Sequence, residues 1–393
     1  MLRDCMKIIA LFIYFNVLSY MTYAVAYETI SEGVAYKHIL EKKQSTHVLL
    51  VNPHLASIII GTANDKCASA EKTTSMAKRY NAIAAINGGF FNFCCRTKIQ
   101  DALIKILDWL GYNRYQAFPK HTLKRDGSYY SVFHTFVDVI GWSNNDQMPI
   151  FGTIKTNVNL VVNGHAYEVT ALNRPHQKKS TLYSDCYDNK TPFFSKRCDE
   201  IVIENNRVKE VRKYSQGKTD IPKQGWIYAV PKEYKNLIST IQAGDQASVT
   251  FEHQPLNSAS ADDISTEDFC SKEYMLASTP LLIFNGQIPP TLKDHISPFY
   301  KKKHPRSAIG LLKDGTWVFV VADGRRRQSE GLTLIELAEF MQSLDCTYAL
   351  NLDGGGSSTM VINNKVINSP SGREYSLSRK ERPISNALLI IPK

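Results

Sequence analysis

The stretch NLDGGGSSTM, residues 351–360, carries more information about the fold and the site than any other part of the chain. Three successive glycines let the backbone approach a partner closely and turn its amide groups toward it. One carboxylate and three hydroxyl groups surround the same bend, on Asp353, Ser357, Ser358 and Thr359. The composition of this stretch predicts a loop that holds a polar ligand.

The sequence before this loop predicts a helix and then a strand. Apolar residues recur at helical spacing over residues 333–344, and Thr333 and Glu336 form a capping box at the start. Residues 347–352 read as a short buried strand, which places Asp353 just past a strand end, where sites tend to form. The spacing is neither that of a Walker loop nor that of a GxSxG nucleophile elbow. A tight turn chosen only for its geometry is the alternative.

Elsewhere the apolar residues recur mostly with a period of two, in short runs separated by turns. Strands are predicted at residues 47–51, 57–61, 82–86, 158–162, 200–203, 246–251, 274–284, 317–322 and 387–391. Helices are predicted at residues 71–80, 101–110, 234–241 and 333–344. Because the strands do not alternate strictly with helices, we expect an α+β fold of mixed, largely antiparallel sheets with a few flanking helices.

The N-terminus has the layout of a cleaved signal peptide. Arg3 and Lys7 precede an apolar stretch over residues 8–23, and an Ala-x-Ala site ends at Ala26. An uncleaved anchor helix is the alternative. We expect residues 1–26 to be removed and residues 27–393 to form a single large domain, secreted or periplasmic, with no stable membrane insertion.

The basic excess of the chain suits an anionic substrate or an anionic envelope surface better than a nucleic acid. The formal net charge is +10, and the cations are scattered rather than gathered in an arm or a stripe. Residues 301–303 are three lysines, followed by His304 and Arg306. This dense cluster reads equally as a solvated loop or as a nucleic-acid contact, and because the remaining charge is scattered we expect no nucleic-acid partner.

The cysteines are compatible with disulfides if the chain is exported. Cys186 and Cys198 flank a polar loop and are candidates to pair across it. Cys67 is a candidate partner of Cys94 or Cys95. No CxxC pair occurs and the histidines are dispersed, which argues against a structural zinc site.

Several further motifs occur in a fixed order along the chain. They are INGGFFN (86–92), LNR (172–174), IPKQGW (221–226), HPRSAIG (304–310), DGR (323–325), SEGLTLIELA (329–338), NSPS (368–371) and RPISNALLI (382–390). Together with residues 351–360 they resemble the phosphodiester glycosidase family over most of the chain beyond residue 80. Residues 95–147 match nothing in that pattern, and we interpret them as an insertion into the glycosidase-like domain.

The resemblance implies an exported hydrolase that cleaves a glycosyl phosphodiester, releasing free sugar and a phosphomonoester. A phosphomonoester is a weak base and a good leaving group, so its oxygen needs less protonation than in ordinary glycoside hydrolysis. The site must then neutralise phosphate, stabilise an oxocarbenium-like transition state and deliver water. Arg306, Arg325 and Arg382 lie in the resembling motifs and suit bidentate contact with phosphate oxygens, although surface ion pairs are the alternative.

Three carboxylates are candidates for catalysis. Asp353 is the first choice, as nucleophile or general base, and Asp323 is the second; each is followed by glycine, so an Asx turn is the alternative. Glu330 is a possible acid or base, or a charge that stabilises a helix N-terminus. The remaining candidates would bind substrate: Asn87, Gly88, Gly89, Asn351, Gly354, Gly355, Gly356, Ser357, Ser358, Thr359 and Asn386.

Two other functions remain open at this point. A binding protein for envelope or exopolysaccharide glycans would keep the pocket without turnover, and a serine hydrolase would use Ser357 as its nucleophile. No metal-ligand set or cofactor is predicted, although carboxylates near phosphate can recruit a divalent cation. The glycosidase hypothesis requires guanidinium groups from distant parts of the chain to converge beside the triglycine bend.

Overall fold

The computed structural model describes residues 26–93, 116–145, 148–175, 179–233, 238–256, 266–293, 298–371 and 381–393. Over these residues the chain is mainly β, with 26 strands and five short α-helices. The expected α+β class is therefore wrong. Sheets pack largely on other sheets, and the longest described helix has only 10 residues, so helices cover a small part of the sheet surface.

The strands are numbered in chain order. They are β1 (Glu28–Ser31), β2 (Val34–Glu41), β3 (Gln44–Val51), β4 (Ala56–Thr62), β5 (Ala84–Asn87), β6 (Phe91–Phe93), β7 (Ala117–Pro119), β8 (Leu123–Arg125), β9 (Ser128–Ser131), β10 (Val137–Trp142), β11 (Ile150–Val162), β12 (His165–Glu168), β13 (Ala171–Leu172), β14 (Thr181–Tyr183), β15 (Phe193–Glu204), β16 (Arg207–Gly217), β17 (Gly225–Pro231), β18 (Ala247–Pro255), β19 (Tyr274–Ser278), β20 (Leu281–Ile283), β21 (Arg306–Leu312), β22 (Trp317–Ala322), β23 (Cys346–Asn351), β24 (Met360–Ile362), β25 (Lys365–Val366) and β26 (Asn386–Pro392).

The helices are few and short. They are α1 (Thr73–Arg79), α2 (Thr266–Ser271), α3 (Pro290–Lys293), α4 (Pro298–Lys301) and α5 (Leu334–Ser343), with single 3-10 turns at Ala63–Asp65 and Gly355–Ser357. No helix in the described ranges has the length and apolarity needed to cross a bilayer.

The strands form four larger sheets and one hairpin. In spatial order, the first sheet is β1-β2-β3-β22-β21-β23-β20 and the second is β12-β11-β10-β19-β8-β9, with β18 also paired to β11. The third is β13-β14-β17-β15-β16, the fourth is β25-β24-β5-β26-β4, and the hairpin is β6-β7. Among the described pairings only β13–β14 is parallel.

Two tryptophans mark where three of the sheets meet. Trp142 on β10 packs edge-on against Trp317 on β22, with ring centroids 5.5 Å apart. Its indole N–H donates to the carbonyl of Ile58 on β4, at 2.7 Å. Both tryptophans are almost fully buried in the largest core cluster, which contains residues from all four larger sheets.

The helix predicted before the glycine loop is confirmed as α5. Thr333 accepts a hydrogen bond from the backbone of Glu336 while the Glu336 side chain accepts one from the Thr333 backbone, which completes the predicted capping box. Leu337 and Met341 are buried against the first sheet. The strand expected after it is β23, and the loop from β23 to β24 carries the chain from the first sheet to the fourth.

The single strand predicted at residues 274–284 is two strands in different sheets. β19 belongs to the second sheet and β20 to the first, and Thr279 and Pro280 separate them. Proline has no N–H to donate to a ladder, which favours a break there. The break matters for the site because the carbonyls of Thr279 and Pro280 both accept hydrogen bonds from Asn351.

Part of the segment interpreted as an insertion belongs to the sheets. Residues 116–145 form β7 to β10, and β10 lies between β11 and β19 in the second sheet. The helix predicted at residues 101–110 lies outside the described residues. Of the helix predicted at residues 234–241, only the last four residues are described, and they form no named helix.

The predicted pairing of Cys186 with Cys198 is not formed. Both thiols are free, and the carbonyl of Cys186 instead accepts a hydrogen bond from the backbone of Cys67. The backbone of Cys186 is therefore bonded to that of Cys67, whereas Cys198 was its expected partner. The proposed partners of Cys67 at residues 94 and 95 lie outside the described residues.

Candidate functional site

The glycine loop begins where β23 ends, and it is held against the turn that follows β5. Asp353 donates its backbone N–H to the carbonyl of Gly88 at 3.1 Å, and its own carbonyl accepts from Asn87 at 2.6 Å. Gly355 has a φ of 62°, in the left-handed region that favours glycine. The loop is thus fixed at the junction of the first and fourth sheets.

The glycines make room for two arginine side chains. A Cβ atom on Gly355 would lie 3.1 Å from a terminal nitrogen of Arg325, and one on Gly356 would lie 2.5 Å from a terminal nitrogen of Arg382. At the second distance, a side chain at position 356 would force the Arg382 guanidinium to move. The structure therefore brings the guanidinium groups of Arg325 and Arg382 against the loop, as the glycosidase hypothesis requires.

Arg306 also lies beside the loop, but it serves as an internal brace. Only 1% of its surface is exposed, and its guanidinium donates to the carbonyls of Leu332 at 2.9 Å and Lys302 at 3.0 Å. Burial, followed by the charge of Arg325, lowers the pKa of Arg306 to about 10. We therefore assign Arg306 to holding the segments of Lys302 and Leu332 in place, and not to the phosphate contact predicted for it.

Asp353 has the electrostatic environment of an acid–base group. Burial raises the pKa of its carboxyl to about 6, against the opposing effects of a hydrogen bond with Ser357 and the charge of Arg382. Some of the residue remains exposed. A carboxyl group that titrates near neutral pH beside two guanidinium groups is suited to proton transfer next to a bound anion.

The asparagine side chains predicted to bind sugar are occupied inside the protein. The Asn87 amide oxygen accepts from Ser307 at 2.7 Å and from the backbone of Thr359 at 3.1 Å. The Asn386 amide oxygen accepts from the backbone of Gly89 at 2.9 Å. Both residues are buried, so they join the loop, β5 and β26 rather than face a ligand.

The glycines at positions 88 and 89 also allow close contacts inside the protein. A Cβ atom on Gly88 would lie 2.0 Å from the Asn386 amide oxygen, and one on Gly89 would lie 3.2 Å from the carbonyl of Ala277. Both positions were expected to bind substrate. The structure shows that the approaching group is the chain's own Asn386 or Ala277.

The polar side chains within the loop are buried. Ser357 lies 3.5 Å from a terminal nitrogen of Arg382 and bonds to Asp353. Asn351 donates to the carbonyl of Thr279 at 2.7 Å. The Asn351 amide oxygen and the hydroxyls of Ser358 and Thr359 are buried with no hydrogen-bond partner among the described residues. This burial leaves the backbone of Gly354 and Gly355, together with Asp353 and the two arginines, as the accessible part of the site.

Asp323 is part of a buried network under the site. One carboxylate oxygen accepts from Asn368 at 3.0 Å and from the backbone of Ser369 at 2.8 Å. The other lies 3.5 Å from the imidazole of His47 and accepts from Ser45 at 3.3 Å. Burial alone would raise the pKa of Asp323, but the hydrogen bond and charge of His47 outweigh it, so the pKa is lowered. These four partners make Asp323 a positioning residue.

The Glu330 carboxylate lies on the surface between two lysines. Its carboxylate is 3.7 Å from the ammonium of Lys43 and 3.5 Å from that of Lys303. Nearly half of its side chain is exposed, so these pairs are weak and solvated. We assign it no part in the chemistry.

Two residues beside the site were not predicted. The imidazole Nδ1 of His304 lies 3.3 Å from a terminal nitrogen of Arg325, which orients that guanidinium. Lys120 is exposed and donates its backbone N–H to the carbonyl of Phe90, and its charge partly opposes the rise in the pKa of Asp353 that burial causes. His304 is the first residue of the HPRSAIG motif, and that motif could have pointed to it. Lys120 lies within residues 95–147, which match no motif, so the sequence held no signal for it.

No group of three or more His, Cys, Asp or Glu side chains arranged to hold a metal ion occurs among the described residues. The charges gathered at the loop are mainly positive, and that arrangement suits a phosphate or another anion.

Comparison with known proteins matches this site to one family. Residues 197–391 match the profile of the phosphodiester glycosidase family. Over these residues the chain belongs to the phosphodiester glycosidase family. The matched range contains Arg306, Arg325, Asp353 and Arg382, while the Asn87 turn and Lys120 precede it.

Relatives of known sequence agree with this phosphodiester glycosidase assignment. The chain is 36% identical over 95 residues to the mouse N-acetylglucosamine-1-phosphodiester alpha-N-acetylglucosaminidase, which is 24% of this chain and 18% of that protein. The human enzyme is 37% identical over 95 residues, with the same shares. A SPbeta prophage-derived uncharacterized protein of Bacillus subtilis is 45% identical over 69 residues, 18% of this chain and 11% of that protein. The chain thus matches less than a fifth of the length of each relative.

Solved structures share the fold of this phosphodiester glycosidase family member. A hypothetical protein from Synechocystis superposes with a TM-score of 0.70 at 20% identity, covering 92% of this chain and 63% of the other. A putative exported protein from Burkholderia pseudomallei gives a TM-score of 0.70 at 20% identity, covering 89% and 74%. At this identity the likeness concerns the fold alone.

Proposed function

We propose that this chain hydrolyses a glycosyl phosphodiester in which the sugar is linked through its anomeric carbon to phosphate. One observation carries the proposal: two guanidinium groups lie against Gly355 and Gly356, beside a carboxyl group whose pKa is raised to about 6. An anion bound at the loop would place its phosphate between the arginines and its anomeric carbon near Asp353.

In the proposed reaction the bond between the anomeric carbon and the phosphate oxygen breaks. The electron pair leaves with the phosphomonoester, whose charge Arg325 and Arg382 neutralise. Asp353 acts as the general base that takes a proton from the attacking water, whose oxygen bonds to the anomeric carbon. The products are free sugar and phosphomonoester, and the water supplies both the hydroxyl group and the released proton.

A single carboxylate is sufficient for this chemistry. Ordinary glycosidases use a second carboxyl group to protonate a poor leaving group, and a phosphomonoester leaves without that assistance. Asp323 and Glu330, the other two candidates, are engaged in a buried network and in surface ion pairs. The contacts of all three carboxylates therefore support Asp353 as the reacting group.

The proposal is tested with a panel of UDP-sugars and sugar-1-phosphodiesters, measuring free sugar. We expect wild-type protein to release sugar from at least one member of the panel. Asp353→Asn should reduce turnover at least about a thousand-fold while binding persists. The exposed Asp220→Asn is the matched control and should keep full activity.

Two other outcomes would assign a different function. Binding without release across the whole panel would support a glycan-binding protein. Covalent labelling by a fluorophosphonate, lost in Ser357→Ala, would support a serine hydrolase. The structure gives this second possibility little support, because Ser357 is fully buried and bonded to Asp353.

We also propose that the protein is exported, on the basis of its N-terminal sequence. Sequencing the N-terminus of protein purified from the producing cells tests this. A mature chain starting at Tyr27 is expected, and an intact Met1 in the mature protein would contradict export by cleavage.

A further inference from the structure

Six cationic side chains gather on one exposed face next to the site. We call this the basic face; its members are Lys42, Lys43, Lys301, Lys302, Lys303 and Arg327, all exposed. They come from the turn between β2 and β3, from the end of α4 and the residues after it, and from the turn that precedes α5. The three lysines at 301–303 were an unassigned cluster in the sequence.

Hydrogen bonds between these three segments bring the cations together. The carbonyl of Lys43 accepts from the backbone of Glu330, and the backbone of Gly331 donates to the Gln44 side chain at 3.1 Å. His304 and Leu332 exchange two backbone hydrogen bonds, at 3.1 and 3.0 Å. The basic face is therefore built by the fold and is not merely a run of neighbours in sequence.

The carboxylates within the basic face do not balance it. Glu330 bridges Lys43 and Lys303, Lys303 also lies 3.4 Å from Glu336, and Glu41 precedes Lys42. Six cations thus surround three carboxylates. The ion pairs are partly exposed, so each cation remains available to an external anion.

The basic face is continuous with the loop site. Lys303 directly precedes His304, whose imidazole contacts Arg325, and Arg327 lies two residues beyond Arg325. Arg326, between them, donates to the carbonyls of Ser369 and Pro370, at 3.2 and 2.8 Å. An anion held by Arg325 at the loop would therefore have further cations beside it on the protein surface.

We propose that the basic face binds the remainder of a polymeric substrate, a linear polyanion that carries phosphodiesters at regular intervals. This inference rests on the proposed function and deepens it by naming the substrate class. A single small diester carries one charge and is satisfied by the two arginines at the loop. A chain with many charges displaces counterions along the whole face and gains affinity from each contact.

The test uses the triple variant Lys43→Gln, Lys303→Gln, Arg327→Gln, none of which touches the loop. Its matched control is Lys196→Gln, Lys213→Gln, Lys223→Gln, three exposed lysines in or beside the third sheet. Binding of long-chain inorganic polyphosphate is measured by calorimetry for both variants and wild type. We expect the first variant to bind about ten-fold or more weakly and the control to bind within about two-fold of wild type.

A kinetic arm joins the inference to catalysis. The first variant should raise KM for a polymeric glycosyl phosphodiester while KM for a single diester stays within about two-fold. The KM of wild type for the polymer should rise steeply with salt, and that for the single diester should not. Circular dichroism and Tm confirm that the variants are folded.

The outcomes separate this inference from the proposed function. If the first variant and wild type bind polyphosphate equally, the proposal that the basic face binds a polyanion is overturned, even if the enzyme is active. Release of no sugar from any substrate overturns the proposed function, while polyphosphate binding still reports on the face. Tighter binding of duplex DNA or of anionic vesicles than of polyphosphate, at equal charge concentration, would assign the face to another partner and overturn the inference.

Discussion

At the scale of single residues, the site depends on the opposite pKa shifts of two carboxyl groups, those of Asp353 and Asp323. Asp353 and Asp323 are both aspartates followed by glycine, and Asp353 ranked first as the catalytic candidate because three hydroxyl residues follow it at positions 357–359. Burial beside few donors raises the pKa of Asp353 to about 6. Hydrogen bonds from His47, Ser369 and Asn368, with the charge of His47, outweigh burial at Asp323 and lower its pKa. One is therefore poised to exchange a proton, and the other is fixed as an anion.

The pH dependence of activity should report the carboxyl group of Asp353. As a general base it must be ionised, so kcat/KM should rise with pH through about 6 and then level off. Ser357→Ala removes a hydrogen bond that favours the ionised form, so the acid limb should move to higher pH. Ser358→Ala is the control, since that hydroxyl has no partner among the described residues. An acid limb that does not move in Ser357→Ala would contradict the assignment.

The same raised pKa predicts a stability cost. Because the pKa is higher in the folded chain than in the unfolded chain, stability is lost as the pH rises from about 4 through about 6. Asp353→Asn should therefore be more stable than wild type at pH 7, by about 1–2 kcal/mol given the group's partial exposure. The gain should vanish near pH 4. Urea unfolding at both pH values measures it, and a loss of stability at pH 7 would be the contrary result.

At the scale of elements, the triglycine loop is a scaffold for arginine side chains. Its glycines are required by contacts with residues 325 and 382, which lie far from it in sequence. The cap of α5 is by contrast a local device, complete within residues 333–336. The two kinds of element should respond differently to substitution.

A methyl group added to Gly356 should displace Arg382. The added Cβ would lie 2.5 Å from the end of that flexible side chain, so the guanidinium must move while the fold persists. We expect Gly356→Ala to raise KM for the diester by about ten-fold or more, and Arg382→Ala to do the same. Combined, the two changes should be far from additive, because they act on one group. Fully additive effects would show that Gly356 acts by another route.

Loss of the α5 cap should cost stability without a catalytic effect. Thr333→Ala removes the hydroxyl that accepts from Glu336 and should lower the free energy of unfolding by about 1 kcal/mol. Thr333→Ser keeps that hydroxyl and is the control, expected to remain within a few tenths of a kcal/mol. Chemical denaturation measures both, with kcat and KM at 25 °C expected to be unchanged. A change in kcat for Thr333→Ala would place the helix start in the site.

At the scale of the whole molecule, the site lies where sheets join. β22 and β23 belong to the first sheet and β24 to the fourth, and the glycine loop connects β23 to β24. Asp323 follows β22 and binds residues 368 and 369, which follow β25 of the fourth sheet, as well as His47 on β3. This buried network fastens the two sheets together under the loop.

Breaking the buried network around Asp323 should destabilise the fold, and the loss of stability should be larger at pH 7 than at pH 4. Asp323→Asn leaves His47 without its anionic partner, which should lower the free energy of unfolding at pH 7 by about 2–4 kcal/mol. Since the pKa of Asp323 is lowered in the folded state, its contribution is present above the unfolded pKa and is lost as the pH falls. Urea unfolding at pH 7 and pH 4 should show the deficit narrowing. Asp323→Asn and Asp353→Asn are thus expected to change stability in opposite directions.

The amino-acid sequence by itself determined the local features of this protein. Helical spacing and the capping box identified α5, alternation identified many of the strands, and residues 351–360 identified the loop that belongs to the phosphodiester glycosidase family. These features follow from contacts between near neighbours, which are written in the order of the residues. Three of the arginines and aspartates named from the motifs, Arg325, Arg382 and Asp353, meet at that loop.

Only the tertiary structure decided what each side chain faces. It turned Arg306, Asn87 and Asn386 inward, placed Glu330 among surface lysines, and gathered the basic face from three separated segments. It also made the fold mainly β, because sheets cover one another where helices were expected to do so. Burial, charge and the pKa of a carboxyl group depend on residues brought together from distant positions, and the local pattern of a sequence does not contain those pairings.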